Sequence, residues 1–190
     1  MRKIVLLSLA ALLPAIAVSG EDIPDLSSFS RSQASVCFDE NFNSDVSRWT
    51  RPLRDGEGFK VTPHVGVTGS SALSATSDKE YNLPSWKVPV QVIPGMAYRI
   101  SFHYRFDDLK VKKTSRNRVI VCSLMLKDKN TGAKLRDINI WVTAENTNKE
   151  LRHHVETVVI PDNAAPEATF SIHVDWWHNG TFIYDDFTFA

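Results

Sequence analysis

The sequence predicts an all-β protein, specifically a jelly-roll β-sandwich of about nine or ten strands. Three observations lead to this fold class. Short runs of residues alternate between apolar and polar side chains, turn-forming residues separate these runs, and no amphipathic helical period is convincing. The chain has 190 residues. Roughly 170 of them would remain after removal of an N-terminal leader, which is enough for one domain with a substantial core.

The N-terminus resembles a secretory leader. Residues 1–17 combine a basic start, an apolar core over 4–13 and the A-x-A cleavage site Ala15-Ile16-Ala17. Cleavage after Gly20 is the nearby alternative. The apolar core is too short to span a bilayer, and no later segment is a candidate span. We therefore expect a secreted or periplasmic protein with no membrane partner.

The charge balance disfavours a nucleic-acid partner. The chain has 22 basic and 22 acidic residues. Loss of Arg2 and Lys3 with the leader leaves 20 basic residues and a formal charge of −2, whereas nucleic-acid binding requires a basic face. Export permits a disulfide between Cys37 and Cys122. The alternation of their strands places the two thiols on different faces, which favours two unpaired cysteines without excluding the pair.

The first part of the chain leads into the domain that we predict over residues 36–190. Residues 18–35 are Ser-rich and weakly patterned, so we expect an irregular lead-in. Residues 36–42 alternate as a strand that places Glu40 in phase with apolar residues. Trp49, in the polar segment that follows, is expected to cap the edge of the core.

The next elements follow from alternation and from turn residues. Pro84 and Pro89 predict an edge strand, and Pro94-Gly95 predicts a type II turn. The alternation from Tyr98 to Phe106 is the clearest in the chain. The charged residues 107–117 predict a loop after this strand. The strand candidates after the first are residues 59–63, 71–77, 83–93, 98–106, 118–127, 134–143, 151–160, 168–177 and 182–189.

The dipeptide Asn179-Gly180 predicts a β-hairpin between the last two strands, because a type I′ turn needs positive φ at both central residues. Alternation then divides the hairpin into two faces. The predicted core face carries Phe170, Ile172, Val174, Trp176, Ile183, Asp185, Phe187 and Phe189. The predicted outer face carries Ser171, His173, Asp175, Trp177, Phe182, Tyr184, Asp186 and Thr188. Asn179-Gly180-Thr181 also matches the N-glycosylation pattern, which we interpret as accidental.

Three features, taken in order, resemble a known family. They are Phe38-x-Glu40-x-Phe42 followed by Trp49, the strand from Tyr98 to Tyr104 directly after the Pro-Gly turn, and the closing stretch from Gly180 to Phe189. Together they resemble the CenC-type carbohydrate-binding modules (families 4, 9, 16 and 22) on the galactose-binding-like jelly roll. The resemblance implies a non-catalytic sugar-binding module with a structural calcium, usually attached to a polysaccharide-degrading enzyme. No catalytic domain is present in this sequence.

The resemblance suggests that the two predicted inward carboxylates, Glu40 and Asp185, are calcium ligands. An ionised carboxylate on an apolar face is costly unless it is paired or binds a cation. Glu40 in the first strand and Asp185 in the last would suit an oxygen-ligand calcium site. The alternative is that they accept backbone N–H bonds or pair with arginine.

Outward aromatics beside polar groups predict a sugar platform, because sugars present flat C–H faces ringed by hydroxyls. Trp141 points outward in phase with Asn139 and Thr143. The other predicted ligand-binding residues are Trp177, Tyr184, Asp175, Asp186, His173 and Arg105. Any single tryptophan could instead fold over a sheet edge, and Trp49, Trp86 and Trp176 are interpreted as core.

Enzyme activity is the weaker interpretation. His153 and His154 are strand neighbours and point to opposite faces, and no third ligand completes His173 and Asp175 into a metal site. No nucleophile constellation is evident. A jelly-roll polysaccharide lyase would need a cluster such as Arg105, His103 and Tyr184. A structural or adhesive surface module with a protein partner is the other alternative, since one fold serves many functions. The preferred partner is a polysaccharide or oligosaccharide, with a separate glycan-degrading enzyme acting alongside.

Overall fold

The computed structural model describes residues 38–44, 46–50, 59–77, 85–111, 117–174 and 178–190. All of them belong to one compact unit. Within these residues ten strands form, β1 to β10 in chain order, and the only helical element is a 3-10 turn at Val67–Gly69. The strands are Phe38–Glu40, Lys60–Thr62, Ala72–Ser77, Ser85–Gln91, Ala97–Val111, Arg118–Met125, Ile138–Thr143, Arg152–Val159, Glu167–His173 and His178–Phe189. The predicted all-β sandwich is confirmed.

The strands form two antiparallel sheets. Sheet A has the order β2-β3-β10-β5-β8, and β1 also pairs with β10. Sheet B has the order β4-β9-β6-β7. β4 is an edge strand, as its prolines predicted. In the described part of the chain, no helix is long and apolar enough to cross a membrane.

The core lies between the sheets and is dominated by aromatic side chains. Alternate residues of β5 face it, as predicted: Tyr98, Ile100, Phe102, Tyr104 and Phe106 are all buried. Trp49 and Trp86 are also buried, with ring centroids 6.2 Å apart. Burying side chains of this size contributes roughly 1.5–3 kcal/mol each, so these rings supply much of the stability.

The turn between β4 and β5 has the predicted type II form. Gly95 has φ +80°, and the N–H of Met96 donates to the carbonyl oxygen of Ile93 at 3.2 Å. The strand that follows is longer than predicted, because Asp107 and Val111 pair with the first residues of β10. Residues 107–111 are therefore strand, whereas the sequence predicted loop.

The predicted terminal hairpin is wrong. β9 lies in sheet B and β10 lies in sheet A, so the chain crosses between the sheets after Val174 instead of turning back. Asn179 and Gly180 lie inside β10, paired with β5 and with β3 respectively. Gly180 has φ +147°. An added Cβ there would lie 3.0 Å from both the carbonyl oxygen of Asp107 and the Cα of Leu109, so the close strand approach requires glycine.

A second irregularity reverses the predicted faces in the first half of β10, before residue 186. The β10–β5 register shifts between Asp185 and Thr188, and Asp186 has φ +50°. Phe182 and Tyr184 therefore face the core together with Phe187 and Phe189. The prediction placed the first pair and the second pair on opposite faces, because strict alternation allows no extra residue.

We expect Gly180→Ala to lower the free energy of unfolding by about 3 kcal/mol, because the added methyl group meets the β5 backbone at a φ that few L-residues adopt. Gly132→Ala is the matched control. Gly132 has φ +69° and no atom within 4 Å of an added Cβ, so we expect a loss of about 1 kcal/mol. Chemical denaturation measures both values. Equal losses would contradict the close approach at Gly180.

Candidate functional site

An open groove with a volume of ≈ 950 Å³ lies beside Trp141. In β7 the side chains of Ile140 and Val142 are buried, while Trp141 is half-buried and points outward, as predicted. The residues that line the groove are Asn117, Arg118, Arg136, Asp137, Ile138, Asn139, Trp141, Thr143, Val159 and Pro161. We call this set the Trp141 groove. It combines one large aromatic surface with hydrogen-bonding and charged groups.

Strand pairing fixes the spacing of the groove residues. Across β6 and β7, Trp141 is the partner of Ile120 and Thr143 is the partner of Arg118. Cross-strand partners point to the same face of a sheet. Arg118 therefore lies on the outer face of sheet B, two residue pairs along the ladder from Trp141. Because both residues are carried by paired strands, the separation of their backbone positions is fixed.

Asp137 brings a polar acceptor to the groove. Its Oδ2 lies 2.9 Å from the Lys134 ammonium nitrogen. Its Oδ1 is buried and accepts no hydrogen bond from the residues that the structure describes. A buried acceptor without a donor is destabilising, and the same burial keeps this oxygen out of direct reach of a ligand hydroxyl. The groove thus offers an aromatic stacking surface beside the amide side chains of Asn117 and Asn139 and the two arginines.

His173 lies on the same outer face, further across sheet B. Its Nε2 is 2.7 Å from the Ser123 hydroxyl, and Ser123 is the cross-strand partner of Asn139 in the groove. The sequence did not predict this serine–histidine contact, because the residues are 50 positions apart. The two predicted neighbours of His173 in the platform, Asp175 and Trp177, lie outside the described residues.

Arg105 and Asp186 lie on the outer face of the other sheet. Arg105 pairs with Asp107, with Nε and Oδ2 3.1 Å apart. Asp186 Oδ2 is 3.7 Å from His103 Nδ1. The His103 ring stacks on His153 of β8, with ring centroids 4.6 Å apart and planes inclined by 24°. The predicted ligand-binding residues that the structure describes are therefore divided between two sheets and do not form one platform.

Tyr184 was predicted to face a ligand, and the structure corrects this. The side chain is fully buried, and its ring contacts Phe59, Phe106 and Phe187 at centroid distances of 5.8, 6.3 and 6.2 Å. The register shift after Asp185 turns Tyr184 toward the core. The same burial separates it from Arg105 and His103, so the cluster proposed for a lyase does not assemble.

The predicted calcium ligands do not fit one shared ion. Glu40 is the cross-strand partner of Phe187 and faces the core, whereas Asp185 is the partner of His103 and lies on the opposite face. Strict alternation had placed both carboxylates on the core face. Within the described residues, no group of three or more histidine, cysteine or acidic residues is arranged to hold a metal ion.

Protein donors surround both carboxylates. Glu40 accepts hydrogen bonds from Arg48 Nη2 and Trp49 Nε1, both at 2.8 Å, and from the Phe42 N–H at 2.9 Å. These are the arginine and backbone donors that the sequence left open as the alternative.

Asp185 is held in the same way. It accepts the Val67 N–H at 2.8 Å, the Ser70 hydroxyl at 2.7 Å and the Asp186 N–H at 2.9 Å. Donors of this kind compensate a buried charge without a cation.

Sequence reasoning missed several of these residues for identifiable reasons. Arg118 and Arg136 flank the groove. Arg118 is the first residue of β6 and Arg136 precedes β7. At such positions the alternation of a strand does not predict which way a side chain points. Asp137 has the same position before β7. Arg48 lies in a polar segment with no period, and only its spacing of eight residues from Glu40 could have suggested the pair.

Comparisons with known structures bear on the fold. The chain is similar to the C-terminal family 22 carbohydrate-binding module of Clostridium thermocellum Xyn10B, with 17% identity, a TM-score of 0.58 and coverage of 82% of this chain and 92% of that one. It is also similar to the CBM22-2 xylan-binding domain of Paenibacillus barcinonensis Xyn10C, with 16% identity, a TM-score of 0.56 and coverage of 81% and 98%.

A third similar structure contains a module joined to an enzyme. It is the N-terminal CBM22-1–GH10 part of Clostridium thermocellum xylanase 10B in complex with xylohexaose, with 13% identity and a TM-score of 0.56. The match covers 83% of this chain and 28% of that one. Neither a protein-family model nor a curated protein sequence matches the chain significantly. At identities this low, the similarity establishes the fold alone. That fold is the jelly roll of the carbohydrate-binding modules that the sequence motifs resembled.

A melting curve tests the calcium ion that the sequence predicted between Glu40 and Asp185. Because six protein donors already surround the two carboxylates, we expect excess EDTA to leave the melting temperature unchanged. Differential scanning fluorimetry with EDTA and with added calcium provides the measurement. A melting temperature that EDTA lowers, and that loses this sensitivity in Asp185→Ala, would instead establish the ion.

The stacked histidines predict a dependence of stability on pH. Burial first, then the charge of neighbouring His103, lowers the pKa of His153 below its ordinary value of 6.5. The unfolded chain therefore takes up this proton more readily, and stability falls as the pH falls through about 6.5. Burial raises the pKa of Asp186, which acts in the opposite direction at lower pH.

We expect His153→Gln to reduce the loss of melting temperature between pH 7.5 and pH 5.5, because no proton is then forced onto the stacked pair. Thermal melts of both proteins at the two pH values measure the difference. The same loss in the variant and in the wild type would contradict a repulsive pair.

Proposed function

We propose that this chain is an exported, non-catalytic carbohydrate-binding module that holds a polysaccharide in the Trp141 groove. The observation that carries the proposal is the open groove itself, in which a half-buried tryptophan lies among asparagine, threonine and arginine side chains. A tryptophan face stacks on the C–H face of a sugar ring, and the amides of Asn117 and Asn139 can donate to and accept from the sugar hydroxyls. Stacking and hydrogen bonding together bind and orient a sugar.

The similar structures support the choice of ligand class. Their names describe xylan-binding domains and a module in complex with xylohexaose. One of them is joined to a glycoside hydrolase module in the same chain. For this chain we propose a polysaccharide partner and a separate glycan-degrading enzyme that acts on the same polymer. The binding module would keep such an enzyme near its substrate and raise its effective concentration.

A non-catalytic role agrees with the chemistry of the described surface. The Arg105 and His103 side chains lie on sheet A, and Trp141 lies on sheet B. Acid–base catalysis requires proton donors and acceptors within hydrogen-bond reach of one substrate position. The Ser123–His173 contact lies near the groove, but Ser123 is buried, so its hydroxyl is poorly placed to attack a bound polymer.

We expect Trp141→Ala to abolish retention on insoluble polysaccharide while leaving the melting temperature close to that of the wild type. The side chain is only half-buried and lies outside the core, so its loss removes the stacking surface with little cost to folding. The measurement is a pull-down on a panel of insoluble and gel-immobilised polysaccharides.

Thr76→Ala is the control, because Thr76 is exposed on β3 of sheet A and is not a groove residue. It should be retained like the wild type. Loss of retention in Thr76→Ala but not in Trp141→Ala would move the site to sheet A. If no polysaccharide retains the wild type, the sugar-binding proposal fails, and a structural or adhesive module becomes the better description.

A further inference from the structure

We propose that the Trp141 groove selects an acidic polysaccharide, with Arg118 and Arg136 binding carboxylate or sulfate groups on the sugar chain. The inference rests on the proposed function and specifies its ligand class. It is based on which charged groups of the groove form ion pairs and which do not. Two arginines line it beside the tryptophan, and the one carboxylate that lines it has a cation of its own.

The two arginines differ from most other arginines of the described chain. Arg48, Arg105 and Arg152 each form an ion pair with a glutamate or aspartate. Among the described residues no carboxylate lies within ion-pair distance of Arg118 or Arg136. Both are exposed, so their guanidinium groups are open to a ligand.

The carboxylate of Asp137 does not cancel this charge. Lys134 lies 2.9 Å from Asp137 Oδ2, and these two charges compensate one another. The guanidinium groups of Arg118 and Arg136 therefore remain uncompensated in the described part of the groove. The amides of Asn117 and Asn139 line the same groove and can hydrogen-bond to sugar hydroxyls. The groove thus combines anion recognition with hydroxyl recognition, which matches the carboxylate and hydroxyl groups of a uronic acid.

Arginine geometry fits this ligand better than a neutral sugar. The planar guanidinium presents paired N–H donors that match the two oxygens of a carboxylate, and hydrogen bonds to charged groups are about twice as strong as neutral ones. β6 and β7 hold Arg118 and Trp141 on one face, two residue pairs apart along the ladder. A sugar stacked on the ring would therefore bring its own substituent, or that of the next unit, to the arginine.

The negative net charge of the chain means that binding of an acidic polymer would depend on a local cluster of positive charge. Without the predicted leader the chain carries −2, which disfavours non-specific attraction of a polyanion. Preference for an acidic polymer would then depend on the two groove arginines, and their removal should abolish it. Such binding should also weaken as salt screens the charges.

The test compares one polymer backbone with and without its charge. Affinity gel electrophoresis of the full chain is run with polygalacturonate, with the same polymer fully methyl-esterified, and with a sulfated galactan. We expect polygalacturonate or the sulfated galactan to bind about tenfold more tightly than the ester, since a charged hydrogen bond contributes roughly 1.5–3 kcal/mol. Which of the two acidic polymers binds shows whether the arginines recognise a carboxylate or a sulfate group.

The variants are Arg118→Gln, Arg136→Gln and the double substitution, with Arg99→Gln as the matched control. Arg99 is exposed on β5 in the other sheet, so its substitution removes the same charge from a different face. We expect the double variant to bind the acidic polymer no better than the ester, and Arg99→Gln to retain the preference. Melting curves confirm that each variant is folded.

The two proposals fail in different ways. Equal binding of the acidic and esterified polymers, lost in Trp141→Ala but not in the double arginine variant, would overturn the acidic selectivity and leave the sugar site in place. An acidic preference that the double variant keeps would place the anion site elsewhere and overturn the assignment. No binding to any polymer would overturn both proposals.

Discussion

The structure depends on the central position of β10. This strand is hydrogen-bonded to β5 along one edge, and along the other it pairs first with β3 and then with β1. The change of partner falls next to the register shift after Asp185, where the turn at residues 66–70 donates to the Asp185 carboxylate. One irregularity therefore allows two strands to share an edge of β10 and buries a charge at their junction. It also sets which aromatic side chains of β10 reach the core.

Buried charge in this sandwich is compensated by the chain itself. Glu40 is held by Arg48 and by the Trp49 indole N–H, and Asp185 is held by backbone and hydroxyl donors. These contacts link β1 to the segment that follows it, and the last strand to the 3-10 turn. Because a buried ion that loses its partner is strongly destabilising, each carboxylate specifies the position of a loop. Electrostatic compensation here contributes to the uniqueness of the fold.

The two outer faces differ in chemistry. Sheet A presents the stacked pair His103 and His153 beside Asp186, a small titratable cluster. Sheet B ends in the edge strand β7, whose outward side chains line an open groove with a tryptophan and two arginines. A polymer longer than the domain needs a site that is open at its ends. The edge strand β7 favours such a site, because among the described residues β6 is its one partner in the sheet.

Alternation of apolar and polar residues by itself determined the all-β class, the core face of β5 and the outward orientation of Trp141, because these depend only on the two-residue period of an extended strand. The edge position of β4 followed from its proline, which cannot donate to a neighbouring strand. Three facts came only from the tertiary structure. Asn179-Gly180 is a strand segment and not a turn, since a close approach to Asp107 and Leu109 also requires glycine. Tyr184 is buried because one extra residue in β10 reverses the period. Arg118 and Arg136 line the same groove as Trp141 because of strand pairing and loop geometry, which local sequence does not specify.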